Sequence, residues 1–248
     1  MNGAGRGGGL VDVRTDSFTH WQRVVSSSFV PLQVASPDPG GFAAHLSGRV
    51  LDGVFFSEIG VSEHRVTRTP ELIAGSHEMF YKLTLQISGT AMLVQDGKEA
   101  ILHPGDIGLY DTSRPYTLAF DTPMRAIVVM FPHGMIDLDA DAVGALTALR
   151  LAGDEGLGRL VSPFLRELMR TVGRVDGSTE LRLVHNTVDM ISTLLSSEAI
   201  RLSGGSQTRS GELLHAIHDY VARNLHDPGL SVQSIAAAHF ISPRYLQQ

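Results

Sequence analysis

The chain has 248 residues, with 20 Lys and Arg against 26 Asp and Glu for a net charge of −6, 43% hydrophobic residues and no cysteine. That length accommodates one large or two small domains, each with its own core. The missing cysteines exclude disulfides, thiol catalysis and thiolate-bound zinc, and no apolar run approaches the roughly eighteen residues that suggest a membrane-spanning helix.

Residues 1–15 are expected to form a disordered tail. Gly3-Ala4-Gly5-Arg6-Gly7-Gly8 fits the dinucleotide pattern G-x-G-x-x-G, but that motif works between a strand and a helix, and a chain start supplies neither. The tail also lacks the apolar stretch of a secretory signal, so a cytoplasmic location is expected. From Ser17 to Phe29 a short helix is expected, because Phe18, Trp21, Val24 and Val25 fall at helical spacing.

The period then shortens. Gly48 to Val61, Met79 to Ser88, Ala91 to Val94, Glu99 to Leu102, Ile107 to Tyr110, Tyr116 to Phe120 and Arg125 to Phe131 are short alternating or β-branched runs. Gly89, Asp96-Gly97 and Pro104-Gly105-Asp106 punctuate them, and Asp96-Gly97 is a strong hairpin signal. Many strands without intervening helices indicate an antiparallel sandwich or barrel, with Leu83, Leu85, Ile87, Ile107, Leu109, Ile127 and Val129 as its expected core. After Pro132 two amphipathic helices are expected, one from Leu160 to Val172 and one from Glu180 to Leu202. The second is long enough to carry a homodimer contact, with packing on its own β domain as the alternative. Ser203-Gly204-Gly205-Ser206-Gln207-Thr208 has the composition of a flexible linker.

Beyond the linker, Leu213, Leu214, Ile217, Tyr220, Val221 and Leu225 form one apolar stripe that stops before Asp227-Pro228-Gly229. Ser231 then reads as the N-cap of a helix bearing Val232, Ile235, Ala236 and His239 or Phe240 on one face. Ser242-Pro243 opens another, since proline at the first helical position forfeits no hydrogen bond. Two short helices joined by a tight turn make a helix-turn-helix candidate.

This stretch resembles the first helix-turn-helix of the AraC/XylS family of transcription regulators, in the pattern D-P-x-L-S-x-x-x-I-A, short turn, S-x-x-Y-L-Q. Leu102-His103-Pro104-Gly105-Asp106 and Tyr110-Asp111-Thr112-Ser113-Arg114-Pro115-Tyr116 resemble the cupin-like effector domain of one branch of those regulators. The resemblance implies an α+β chain. Residues 16–135 would be a cupin-like effector or dimerisation domain, residues 136–202 a helical connector, residues 203–209 a linker and residues 210–248 a partial helix-turn-helix domain, with a second such unit expected past Gln248. It further implies promoter DNA as partner, a small-molecule effector and a homodimer, with no membrane association.

On the expected recognition helix Arg244, Gln247 and Gln248 share a face suited to base edges, while Ser242 and Tyr245 suit backbone phosphate. The charge argues the other way: between Gly211 and Gln248, Arg223 and Arg244 stand against Glu212, Asp219 and Asp227, which makes no basic patch. A module that dimerises or binds a small molecule without DNA is therefore the competing reading.

No hydrolase elbow, zinc-protease helix or P-loop occurs, so no catalytic residue and no enzymatic activity are expected. Metal-binding cupins need three or four converging ligands. Here His77 and Glu78 are adjacent and would point to opposite faces of a strand, and Tyr116 stands where a ligand histidine would fall after the Pro104-Gly105-Asp106 turn. His64, His77 and His103 remain scattered, so neither metal nor other cofactor is expected. Arg68, Tyr81, Lys82 and Arg114 are the candidates to orient an anionic ligand in the barrel, against the plainer roles of surface group or ion-pair partner.

Overall fold

The computed structural model describes residues 9–76, 79–171, 177–202, 217, 218, 220, 221, 223–225, 227 and 229–239. It divides into two compact units, Met1–Ser197 and Glu198–Gln248.

The first unit is built on two antiparallel sheets. Strands β1 (Leu10–Thr15), β3 (Ala44–Leu51), β4 (Val54–Val61), β11 (Met124–Pro132), β6 (Phe80–Ser88), β9 (Ile107–Asp111) and β12 (Arg150–Leu151) lie side by side in that order. The second sheet runs β2 (Gln33–Ala35), β5 (His64–Arg68), β10 (Tyr116–Phe120), β7 (Ala91–Gln95) and β8 (Lys98–Leu102). Two hairpins turn on Asp-Gly pairs. Asp52 and Gly53 have φ of 47° and 77°, and Asp96 and Gly97 have 52° and 72°. Both central residues thus adopt the left-handed conformation of a type I′ turn, whose twist suits the strands it joins.

Helix α1 (Phe18–Ser28) begins where Ser17 caps it, its hydroxyl accepting from His20 N at 3.3 Å. Its Trp21 and Val25 enter a core between the sheets with Phe42, Leu46, Leu93 and Leu102. The expected core residues Leu83, Leu85, Ile107, Leu109, Ile127 and Val129 are buried, and Ile87 half so, but the buried six do not belong to that cluster. They occupy the other face of the larger sheet, where α4 (Gly158–Thr171) packs against β4 and β11. The larger sheet is therefore buried on both faces, and on β6 the inner face falls to Lys82, Thr84 and Gln86.

The short helix α2 (Pro70–Ala74) follows β5, and α3 (Ala140–Leu146), α4 and the part of α5 (Gly177–Leu202) up to Ser197 belong to the first unit rather than to a separate connector. Along α5 the apolar stripe of Val184, Val188, Ile191, Leu194 and Leu195 is buried within one chain. Arg49 on β3 bonds Glu180 at 2.8 Å, and His185 meets Asp52 at 2.8 Å, tying the helix to the β3–β4 hairpin. The stripe thus takes the intramolecular alternative.

The expected tail needs correction. Residues 10–15 form β1, paired with β3 from Leu10↔Arg49 to Thr15↔Ala44. Val11, Val13 and Thr15 turn the half-buried side of this edge strand inward, which offsets the ordering of six residues. Residues 1–8 and the linker 203–209 lie outside the described residues.

In the second unit, Ile217, His218, Tyr220, Val221 and Arg223 are helical, and α6 (Val232–Ala238) follows. Ser231 closes a reciprocal cap with Ser234: Ser234 N donates to Ser231 Oγ at 3.1 Å and Ser231 N to Ser234 Oγ at 2.8 Å.

Candidate functional site

The inner faces of the two sheets enclose a cavity of about 40 Å³. Strand parity decides its lining. β6 contributes Lys82 and Thr84, β9 contributes Tyr110, β10 contributes Tyr116 and Leu118, and β5 contributes His64 and Val66. Phe29, at the end of α1, closes one side.

Lys82 is 4% exposed, and its ammonium stands 4.0 Å from the centroid of the Phe29 ring and 5.5 Å from that of Tyr110. No hydrogen-bond acceptor and no carboxylate meets it among the described residues. Burial, and after it the nearby positive charge of Arg68, pulls its pKa down to about 7. Arg68 does not line the cavity. Its Nε donates to Thr112 O at 3.3 Å and its Nη1 to Pro31 O at 2.7 Å, so carbonyls rather than an acid hold this buried guanidinium.

The Tyr116 ring lies 4.8 Å from that of Tyr110, and its buried hydroxyl has no hydrogen-bond partner. Desolvation raises the Tyr110 and Tyr116 phenols above their ordinary pKa, so both stay protonated. His64 stacks on Phe120 at 4.6 Å with its Nδ1 2.7 Å from Ser62 O, which assigns the proton to Nδ1. Burial depresses its pKa to about 4, partly opposed by that hydrogen bond, and the ring is neutral at pH 7.

Of the four sequence candidates, then, Lys82 lines the cavity and Arg68 stands beside Lys82, whereas Tyr81 and Arg114 go elsewhere. The Tyr81 ring stacks on His133 at 3.9 Å. Arg114 takes the ion-pair role, bonding Asp96 and, at 3.2 Å, Asp111. Asp111 also receives His133 Nε2 at 3.0 Å and the Ser113 hydroxyl at 2.7 Å. Burial pushes the Asp111 carboxyl up, but these hydrogen bonds outweigh it and hold the group below the usual carboxylate range. This cluster pins the Asp-Thr-Ser-Arg-Pro-Tyr turn that delivers Tyr116 to the cavity.

Sequence reasoning gave Thr84 and Tyr110 no part in the site, weighed His64 only as a metal ligand and treated Tyr116 only as the absence of a ligand. The signal was present in β6: if Leu83 and Leu85 share one face, Lys82 and Thr84 must share the other. Among the described residues no three His, Asp or Glu side chains converge on a metal position; His64 is in the cavity wall and His103 is exposed, while His77 and Glu78 lie outside the described residues. Ser242, Arg244, Tyr245, Gln247 and Gln248 also lie outside them.

Comparison with known proteins adds ancestry to this geometry. An uncharacterized protein of the nit 5' region of Bacillus sp. (strain OxB-1) is 28% identical over 232 residues, which span 92% of this chain and 89% of that one. The transcriptional activator NphR of Rhodococcus sp. is 26% identical over 227 residues, spanning 90% of this chain and 68% of the activator. Among solved structures, the AraC-like transcriptional activator CuxR shares the fold, with a TM-score of 0.68 at 18% identity over 95% of this chain and 86% of that one. The AraC-binding-like domain family matches residues 21–196, the stretch that runs from α1 into α5 and includes every strand lining the cavity. With well over half its length inside that match, this chain belongs to the AraC-binding-like family of AraC-type regulators.

Proposed function

We propose that the chain is a transcription regulator and not an enzyme: a cytoplasmic homodimer that binds promoter DNA through its C-terminal helices under the control of a small effector held between its two sheets. The single observation that carries this is the family match over residues 21–196 joined, in the same chain, to helix α6, which Ser231 caps directly after Asp227-Pro228-Gly229-Leu230. The 26% identity to a transcriptional activator supports the same reading. Base reading is assigned to Arg244, Gln247 and Gln248 and phosphate contact to Ser242 and Tyr245, on their spacing in the sequence. Because the α5 stripe is already buried, the homodimer is assigned to the outward side of that helix, where Leu181 is 46% exposed. Light scattering of the whole chain tests it, and a monomer at high micromolar concentration ends it.

A second reading has an observation of its own. The net charge is −6, and only Arg223 and Arg244 are basic between Gly211 and Gln248, which favours a dimerisation or small-molecule module that does not grip DNA. Gel-shift titration on the fragment upstream of its own gene separates the two. Retarded DNA that competitor of unrelated sequence does not displace supports the regulator; no retardation at micromolar protein supports the module.

A further inference from the structure

We infer that the cavity between the sheets takes a small organic monoanion, its carboxylate seated between Lys82 Nζ and the Tyr116 hydroxyl and its short apolar end among Val25, Ile59, Val66 and Leu118. This rests on the reading of the interior as an effector site and specifies the chemistry of the occupant.

Three observations converge on it. First, Lys82 lines the cavity with Arg68 beside it, and no carboxylate lines it among the described residues. Lys82 is 4% exposed and Arg68 1%, and among the described residues neither forms an ion pair. A buried ammonium is tolerable at low cost only when it is paired, and the Phe29 ring 4.0 Å away supplies a modest cation–π contact on one side, leaving the three N–H donors without an oxygen. Second, the Tyr116 hydroxyl, on β10 of the sheet that faces Lys82, is a buried donor without a partner. A donor left unmet in a buried site is costly, and a carboxylate seated between the facing walls would meet both Lys82 and Tyr116. Third, most of the remaining lining is apolar, with His64, Thr84 and Tyr110 as its other polar groups. Val25, Ile59, Val66, Leu118, Phe120 and Val128 offer nothing to a polyol, which needs a donor or acceptor for each hydroxyl.

Among the described residues Lys82 is the one cationic group lining the cavity, which argues against phosphate, a dianion that needs more positive charge than one ammonium supplies. A cavity of about 40 Å³ has room for about three waters, so a carboxylate with a short alkyl chain is the appropriate size class. The titratable and charged groups facing Lys82 are Arg68 and His64 from β5, Tyr110 from β9 and Tyr116 from β10; α1 contributes only apolar residues. His64 and the two phenols are uncharged near neutral pH. An incoming carboxylate therefore acts on the Lys82 equilibrium, favours its ammonium, and draws a proton from solvent when it binds at pH 8.

The test is calorimetric titration of the whole chain with acetate, propionate and butyrate, with propionamide as the uncharged isostere and inorganic phosphate as the competing anion. The carboxylates are expected to bind with about 1:1 stoichiometry, and propionamide at least tenfold more weakly. Repeating the titration at pH 8 in buffers of different ionisation enthalpy should report net proton uptake, a measurement on the unaltered protein. Lys82→Met should lower propionate affinity at least tenfold, and Tyr116→Phe, which removes only the hydroxyl, severalfold. The inference is overturned by propionamide binding as tightly as propionate, by phosphate binding more tightly than any carboxylate, by no proton uptake, or by no carboxylate binding at all. Absent anion binding with promoter binding intact refutes this inference alone. Propionate binding without any promoter binding refutes the regulator reading and leaves the site standing.

Discussion

Two buried bases in the cavity wall make stability rise with pH, each over its own window. Lys82 titrates near 7 in the folded chain, against about 10.4 for an exposed lysine. Between those values the unfolded chain holds the extra proton, so stability rises with pH across that window, and below pH 7 the full cost of the buried ammonium remains. Replacing it with a neutral chain of similar length removes that cost. Lys82→Met is therefore expected to raise the unfolding free energy by about 1–3 kcal/mol at pH 6.5, with the gain shrinking toward pH 10. Urea unfolding at a series of pH values measures it, and a variant weaker than the parent at pH 6.5 contradicts an unpaired ammonium. His64 titrates near 4, against about 6.5 in the unfolded chain. Its contribution is fully present above pH 6.5 and is lost as pH falls toward 4, by up to about 3 kcal/mol. His64→Phe keeps the stack on Phe120 but gives up the bond to Ser62 O, so it should be less stable at pH 8 and show a flatter acid limb. An unchanged acid limb places the proton-linked loss in the carboxylates instead.

At the scale of elements, what could be read in advance depended on whether the buried residues were apolar. β6, β9 and β11 were legible because their helix-covered face is Leu83, Leu85, Ile107, Leu109, Ile127 and Val129, a clean alternation. β5 was not, because the positions it turns inward are His64, Val66 and Arg68, and a buried histidine and arginine look like a polar loop. β12 has only two residues and β2 three, too short for any period to show. The Asp52-Gly53 turn was as explicit as Asp96-Gly97, yet the run from Gly48 to Val61 hid it by reading as one strand. The same alternation that located the strands could not say which side of β6 looks into the cavity, since it identifies the two faces without saying which one another sheet covers. Leu85, with no exposed surface, should cost about 2–5 kcal/mol when cut to Ala, although it faces the helices and not the cavity. Leu85→Ala should then leave propionate affinity within about twofold; a large loss of affinity would falsify the assignment of its face. In the second unit, Ser231→Ala removes the bond that Ser234 N donates to Ser231 Oγ, keeps the one Ser231 N donates to Ser234 Oγ, and should cost that helix about 1 kcal/mol, read as lower helicity by circular dichroism.

For the whole molecule, charge is the property that limits DNA recognition. Affinity for duplex DNA comes largely from phosphate neutralisation, and its logarithm falls with the logarithm of salt by about 0.9 for each phosphate contacted. Between Gly211 and Gln248 only Arg223 and Arg244 are cationic at pH 7, and the chain as a whole carries −6. These two arginines therefore contribute at most about −2 to the slope per chain, with specificity in this stretch left to base contacts rather than to bulk attraction. Arg244 is assigned to a base edge, where a bidentate contact to guanine is worth about 1–3 kcal/mol of discrimination. Arg244→Ala should then weaken the preferred sequence by roughly 5- to 150-fold, relax preference at one position, and leave the salt slope nearly unchanged. Gel shifts over a salt series on the preferred and single-substituted sequences decide the assignment. A slope that flattens by about one unit on losing Arg244, with the base preference intact, moves this arginine to the phosphate backbone and passes the base reading to Gln247 and Gln248.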